Sequence, residues 1–400
     1  MMPLTLAEAR MLDPVEHETM LGQVLDWAEI NSGSGNLPGL AAMAGRLADA
    51  FAALPGQIEL VAPEPVERIG ADGAAQTVEC GSHLVLRVRP EAGRRVLLTG
   101  HMDTVFAADH PFQHYDWIDA QTLRGPGTAD MKGGLSLMLA GLSAFETTRP
   151  ALGYDVMINS DEETGSLSST ALIQLLSNQK NAALTYEPAL PGGTMARARP
   201  GSGNFAAVVT GRSAHAGRNP EDGRNALLAA ADLALRLSRG VRPGLGVNPA
   251  KIDGGGPDNM VPNHAILRFN VRPATPADAG EAQALIDRTL AEVAALHAVS
   301  IHLHGSFRRP PKPITPQSEA LFAIVRDAAA DLGQPIDWQD TGGVCDGNNI
   351  AACGVPVIDT MGALGGAIHS PDEFLLTDSL VTRARLTALV MHRLDRGAAP

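Results

Sequence analysis

The sequence predicts an α/β chain: a mixed-sheet α/β/α layer interrupted by a small ferredoxin-like α+β unit. Three observations carry that prediction. Short apolar runs of strand character alternate with helix-period segments through the first half of the chain. From about residue 200 to 308 the order becomes β-α-β-β-α-β, the split arrangement of a small α+β layer. After Arg308-Arg309-Pro310-Pro311 the α/β pattern resumes. The expected division is therefore 1–199 and 309–400 as one domain, with 200–308 inserted into it.

A chain of 400 residues that is 44% hydrophobic has material for a large core and two domains. Its 44 acidic against 31 basic residues give a net charge of -13, without a basic cluster to follow a phosphate backbone, which argues against a nucleic-acid partner. The N-terminus lacks a basic stretch followed by a long apolar run, and no later segment is apolar for long enough to cross a bilayer. The expectation is a cytoplasmic protein without a membrane partner. Cys80, Cys345 and Cys353 form neither an even framework nor a ligand spacing, and read as reduced thiols.

In chain order, helical periodicity covers 16–30 and 37–54, with Pro38 near the second start. Strand-like stretches 58–61 and 83–89 flank a Gly/Ala/Glu-rich connection, and 95–100 is apolar enough for a buried central strand. That strand ends on His101-Met102-Asp103. Two residues apart in extended chain, His101 and Asp103 project to one side, and a metal-bound imidazole usually gives its other N–H to a carboxylate such as Asp103. Taken alone, a His-x-Asp pair is more often a structural hydrogen bond.

Glycines and prolines then surround Asp130 just before a helix, which describes a tight turn aiming a carboxylate inward. An ordinary helix cap is the alternative, although a cap does not require glycine on both sides. The strand 156–160 runs into Asp161-Glu162-Glu163-Thr164-Gly165, at the edge where open α/β sheets place their chemistry. Adjacent side chains leave a strand in different directions, so one glutamate can hold a metal while the other faces a water. The same acids in isolation read as a solvated turn.

A helix over 166–176 leads to a strand, 182–185, that ends on Tyr186-Glu187-Pro188. The insert reads as strand 204–211, helix 224–239, strands 245–252 and 265–272, helix 276–297 and strand 299–304. Helix 318–332, strand 355–358, a glycine-rich loop carrying His369 and a final helix over 377–394 complete the chain.

Nitrogen and carboxylate ligands without thiolate suit zinc in an open, catalytic site. Five such groups, His101, Asp130, Glu163, Glu187 and His369, suffice for two ions if one carboxylate bridges. Two ions about 3.5 Å apart polarise a carbonyl and activate a water, which points to peptide or amide hydrolysis.

The motifs Gly100-His101-Met102-Asp103, Gly127-Thr128-Ala129-Asp130-Met131-Lys132-Gly133-Gly134, Asp161-Glu162-Glu163, Tyr186-Glu187-Pro188, Arg212-Ser213-Ala214-His215 and Ile368-His369-Ser370 span most of the chain. In this order they resemble the co-catalytic zinc metallopeptidases that include glutamate carboxypeptidase, aminoacylase and the acetylornithine and succinyl-diaminopimelate deacylases. The resemblance implies two zinc ions per chain bridged by Asp130, one completed by His101 and Glu187 and the other by Glu163 and His369. It implies Glu162 as general base toward a zinc-bridging water, Asp103 as the partner of His101, and a cis Asp130–Met131 peptide. It makes the insert a dimerisation domain of a homodimer, with His215 reaching the partner's site and Asn259 binding substrate there.

Glu187 and the Arg309-Pro310 pair resemble the glutamate carboxypeptidase-like branch, in which an arginine grips the substrate's α-carboxylate. Gly342 and Gly343 offer backbone N–H groups beside it. A surface linker arginine is the plain alternative for Arg309. The expected activity is release of a C-terminal amino acid. The alternatives are an N-acyl amino acid deacylase using the same metals and a non-catalytic binding relative, which would be expected to have lost Glu162 or a ligand.

Overall fold

The structure, a computed structural model, describes residues 4–400. Its main sheet has six strands in the spatial order Gln57–Val61, His83–Val88, Gly153–Asn159, Arg95–His101, Ala182–Thr185 and Val357–Ile358. The first two pairings are antiparallel and the remaining three parallel, so the sheet is mixed. Gly153–Asn159 and Ala182–Thr185 are buried at every residue, as befits parallel strands covered on both faces. One face packs against Gly133–Glu146 and Asp378–Asp395, and against His17–Ala28 and Leu37–Phe51, through residues such as Trp27, Leu47, Leu142 and Leu389. Ile173 of Thr170–Ser177 and Ile350 of Asp346–Ala352 pack on the other face, against Val85, Leu97 and Met157.

Parallel strands deliver their C-terminal ends to one edge of the sheet. His101 lies level with Asn159, and Thr99 with Thr185, so the residues just beyond Asn159 and Thr185 emerge beside His101. That register brings Glu162, Glu163 and Glu187 together.

The second unit is built on Ser202–Thr210, Leu245–Gly254, His264–Pro273 and Ser300–Arg309, in the spatial order second, third, first, fourth, with every pairing antiparallel. That is the ferredoxin-like order. Helices Ala226–Ser238 and Pro276–His297 cover one face around Phe205, Val209, Leu233, Leu267 and Ile286. Alternation along the strands turns Asn204, Ala206, Arg268 and Asn270 toward a cavity on the opposite face. Thr275 starts the longer helix through a reciprocal capping box with Asp278.

Four local differences from the sequence-based expectation matter. The connection before residue 83 folds into a hairpin, Val66–Ile69 with Ala75–Val78, whose turn receives hydrogen bonds from the Arg268 Nη2 group to the carbonyls of Ile69 (2.8 Å) and Gly70 (3.0 Å). The helix expected from 166 begins at Thr170, because the Asp161 carboxylate accepts from Ser168 N (2.6 Å) and Ser169 Oγ (2.6 Å) and holds the preceding residues in a turn. The last strand of the insert runs on from 304 to Arg309, carrying that arginine into the site. A small sheet of Asp116–Trp117, Thr122–Arg124, Gly365–Gly366 and Phe374–Leu376 was also absent from the sequence reading, since strands of two or three residues leave no periodicity. Among the described residues the cysteines are all free, and no helix is long and apolar enough to cross a membrane.

Candidate active site

Two groups of ligand-type side chains share one carboxylate. His101 Nε2 lies 3.0 Å from Asp130 Oδ1 and 3.8 Å from Glu187 Oε2. His369 Nε2 lies 3.4 Å from Asp130 Oδ2 and 3.2 Å from Glu163 Oε2. Each oxygen of Asp130 therefore faces a different nitrogen, and each trio offers ligand atoms within 4.8 Å of one another.

The backbone explains the approach. Gly127 adopts a φ of 69°, in the left-handed region that glycine favours, as the loop turns toward Asp130. A Cβ at Gly134 would collide with the Tyr186 carbonyl oxygen, so glycine lets the helix after Asp130 press against the chain that carries Glu187. The Asp130–Met131 peptide is cis. Lys132, which is buried, donates to the carbonyls of Ile30 (3.0 Å) and Pro126 (3.2 Å) and ties the loop down.

Asp103 does more than sit beside His101. The ring Nδ1 is 2.9 Å from the Asp103 carbonyl oxygen and 3.5 Å from its carboxylate, so the backbone is the closer partner. The carboxylate also accepts from Ser34 Oγ (2.7 Å), Glu162 N (3.1 Å) and Glu163 N (3.2 Å), fixing the turn that holds both glutamates.

Burial lifts the carboxyl of Glu163 to about 7 although His369 opposes the rise, and burial likewise raises Glu187 against the pull of His101. Burial works against ionisation of Asp130 too, but hydrogen bonds from His101 and His369 outweigh it and hold that carboxyl low. Three carboxylates crowded into one poorly solvated place draw positive charge: they raise the His101 imidazole against its burial, and hydrogen bonds to Asp130 and Glu163 raise that of His369 to about 10. Nitrogen and oxygen donors without thiolate fit a pair of hard or borderline divalent ions that would take the place of those protons.

Glu162 stands beside these groups without belonging to either trio. Burial pushes its carboxyl well above the usual range, and Arg309 opposes the shift. Arg309 is 4% exposed. Its Nη2 donates to Glu162 Oε1 (2.7 Å), the Glu162 carbonyl (3.0 Å) and Ser166 Oγ (3.1 Å), while Nη1 meets Asp346 Oδ1 at 2.9 Å. It is not a surface linker residue. Asp346 completes this knot by accepting from Ser166 Oγ and Asn159 Nδ2, a role no local pattern signalled.

A cavity of about 800 Å³ opens onto Glu162, Glu163, His369 and Arg309. Arg268, Arg272 and Arg308 line it as well, as does Gly343, and Glu67 and Arg68 of the hairpin form part of its wall. The Gly342 carbonyl accepts from Arg272 (2.9 Å) and the Gly343 carbonyl from Arg199 (3.2 Å). His215 and Asn259 are exposed neighbours, joined through the Ala216 N to Asn259 O bond (2.9 Å), and are not among the cavity's lining residues. Glu373, which no sequence motif singled out, is buried beside Asp130.

Comparison with known proteins adds the family. Residues 97–393 match the profile of Peptidase family M20/M25/M40. The chain belongs to this family. Carboxypeptidase G2 of a Pseudomonas species is 30% identical over 333 residues, covering 80% of this chain and 78% of that protein. Succinyl-diaminopimelate desuccinylase of Maricaulis maris is 30% identical over 322 residues, covering 73% and 78%. A solved structure of the Bacillus subtilis YXEP protein, described as a dinuclear metal-binding peptidase of the M20 family, superposes with a TM-score of 0.65 at 15% identity, over 95% of this chain and 98% of that one. This M20 chain is thus a metallohydrolase acting on amide bonds.

Proposed function

We propose that the chain is a di-zinc exopeptidase that releases a C-terminal amino acid. The observation that carries the reading is Asp130, with one oxygen toward His101 and the other toward His369. In this reading His101, Asp130 and Glu187 hold one zinc ion and Asp130, Glu163 and His369 the other. The ions supply Lewis acidity to the scissile carbonyl and acidify water. Glu162, close to both trios but free of them, takes a proton from the attacking water. As the C–N bond breaks it returns that proton to the leaving amine.

The arginines around the cavity support a substrate with a free carboxylate, because a chain of net charge -13 otherwise repels one. Arg309 is the cation nearest the base, and a substrate carboxylate has to compete with Glu162 for it. Arg309→Ala is expected to raise KM for substrates with a free α-carboxylate far more than for amidated analogues, since a charge-assisted pair contributes about 1.5–3 kcal/mol. A loss of equal size on both would leave Arg309 as a support of Glu162 alone.

The insert is read as a dimerisation unit comprising residues 200–308. One of its two outer strands, Leu245–Gly254, has an outer edge that pairs with no other strand among the described residues, and Leu227, Leu228, Leu235, Val241 and Ile252 are exposed on the same unit. In a two-fold pair His215 serves the partner's site and Asn259 assists binding there.

A hydrolysis screen of zinc-loaded protein against dipeptides, aryl-glutamates and N-acyl amino acids tests the activity. Dipeptides or aryl-glutamates are expected to be cut. The desuccinylase relative favours a second reading, an N-acyl amino acid deacylase, which fast turnover of N-acyl substrates with none of dipeptides would establish instead. Chelation is expected to abolish hydrolysis and added Zn²⁺ to restore it. Undiminished turnover by a sample verified as metal-free would end the metal reading.

A further inference from the structure

Glu373 lies four residues after His369, immediately before the strand Phe374–Leu376, and is 1% exposed. Its Oε1 accepts the N–H groups of Ala129 and Asp130, each at 3.0 Å, and its Oε2 that of Gly127 at 3.2 Å. Its backbone carbonyl accepts from Gly125 N (3.1 Å), and its own N–H donates to the Ser370 carbonyl (3.1 Å). The loop from Gly125 to Asp130 is therefore wrapped around one side chain. The segment that presents the His369 ring also anchors the carboxylate this ring faces.

Chemistry restricts what can stand there. Three N–H donors converge on the two oxygens of one carboxyl group, which accepts all three when ionised; burial and the Asp130 charge push that carboxyl up to about 8, against the pull of these same N–H groups. A glutamine brings two N–H bonds of its own, so at least one backbone donor would face a donor inside the protein and lose its partner. The consequence extends beyond the loop, because the direction in which Asp130 leaves the backbone decides whether its two oxygens reach both histidines.

We propose that Glu373 is a positioning residue of the metal centre: by holding the amides of Gly127, Ala129 and Asp130 it sets Asp130 between the two ligand trios, in register with His369. This rests on the ligand reading given above. Groups that orient metal ligands, when altered, typically cost about 10–100-fold in metal affinity.

The test titrates metal-free wild type, Glu373→Gln and Glu373→Asp with Zn²⁺ against a competing chelator. Co²⁺ serves as a spectroscopic probe, and thermal unfolding is followed with and without metal. Glu373→Gln is expected to lose about 10–100-fold in affinity for at least one of the two ions, to change the Co²⁺ absorption, and to gain less Tm on metal addition than wild type. Its kcat should fall with little change in KM. A purely structural glutamate would lower the Tm of the metal-free chain yet leave the affinities and the Co²⁺ spectrum of the folded protein as in wild type, and that result overturns the proposal. Should Glu373→Gln fail to fold, Glu373→Asp, which keeps the charge but withdraws it by one methylene, is judged on the same readouts. Wild type that binds fewer than two ions would refute the ligand reading and this inference with it, whereas equal affinities in all three chains would refute the role of Glu373 alone.

Discussion

Glu162→Gln is expected to keep its metal ions and lose on the order of 10²–10⁴ in kcat, the usual cost of removing a general base. The substitution is nearly isosteric and spares both ligand trios, since Glu162 belongs to neither. Glutamine retains an oxygen for the 2.7 Å contact with Arg309 Nη2, so the support of the side chain should survive while its proton affinity does not. Metal content by elemental analysis and kcat on one substrate check the result together. Near wild-type turnover with both ions in place would strip Glu162 of the role.

His215→Ala is expected to be nearly inactive by itself, by roughly 10²–10³ in kcat, as for loss of a donor to a developing oxyanion. His215 is exposed and is not among the residues lining its own chain's cavity, which is why the proposed action is across a two-fold dimer. Glu162→Ala should be inactive as well, yet the two variants expressed together should recover. In a mixed dimer the zinc centre of the His215→Ala chain meets the intact histidine of the Glu162→Ala chain. Random pairing makes about half the dimers mixed, each with one good site of two, so activity should approach about a quarter of wild type. Verified mixed dimers no more active than either parent would confine His215 to its own chain and leave the insert a lid or structural module.

The candidate ligands were legible because of how buried strands end. Arg95–His101, Gly153–Asn159 and Ala182–Thr185 are apolar runs, and a polar residue at or just past the end of such a run marks where the chain leaves the core. Asp130 and His369 announced themselves through their glycines, which permit close approach. The ferredoxin-like order of the insert was legible for a similar reason: its helices and strands are long enough to show their periods.

Contacts between distant residues left no such trace. The hairpin at Val66–Ile69 consists of four-residue strands held by Arg268, some 200 positions away in the chain, and its sequence resembles any polar connection. Arg309 and Glu162 are separated by 147 positions, so their pairing could not be read from either neighbourhood. Asp103 was anticipated as the carboxylate partner of the His101 ring; its carboxylate lies 3.5 Å from Nδ1, while the turn after the strand brings its carbonyl closer, at 2.9 Å, and lets the carboxylate also accept from the amides of Glu162 and Glu163.

By itself, then, the sequence pointed to the polar side chains at the ends of the buried strands as candidates, because burial and periodicity are local properties of a strand or helix. Only the tertiary structure decided how they are held: that Asp130 turns one oxygen to each histidine, that Glu373 grips the loop behind it, and that Arg309 rests on Glu162. Those arrangements depend on hydrogen bonds between residues up to about 240 positions apart, whose geometry exists only once the two parts of the chain have packed against each other.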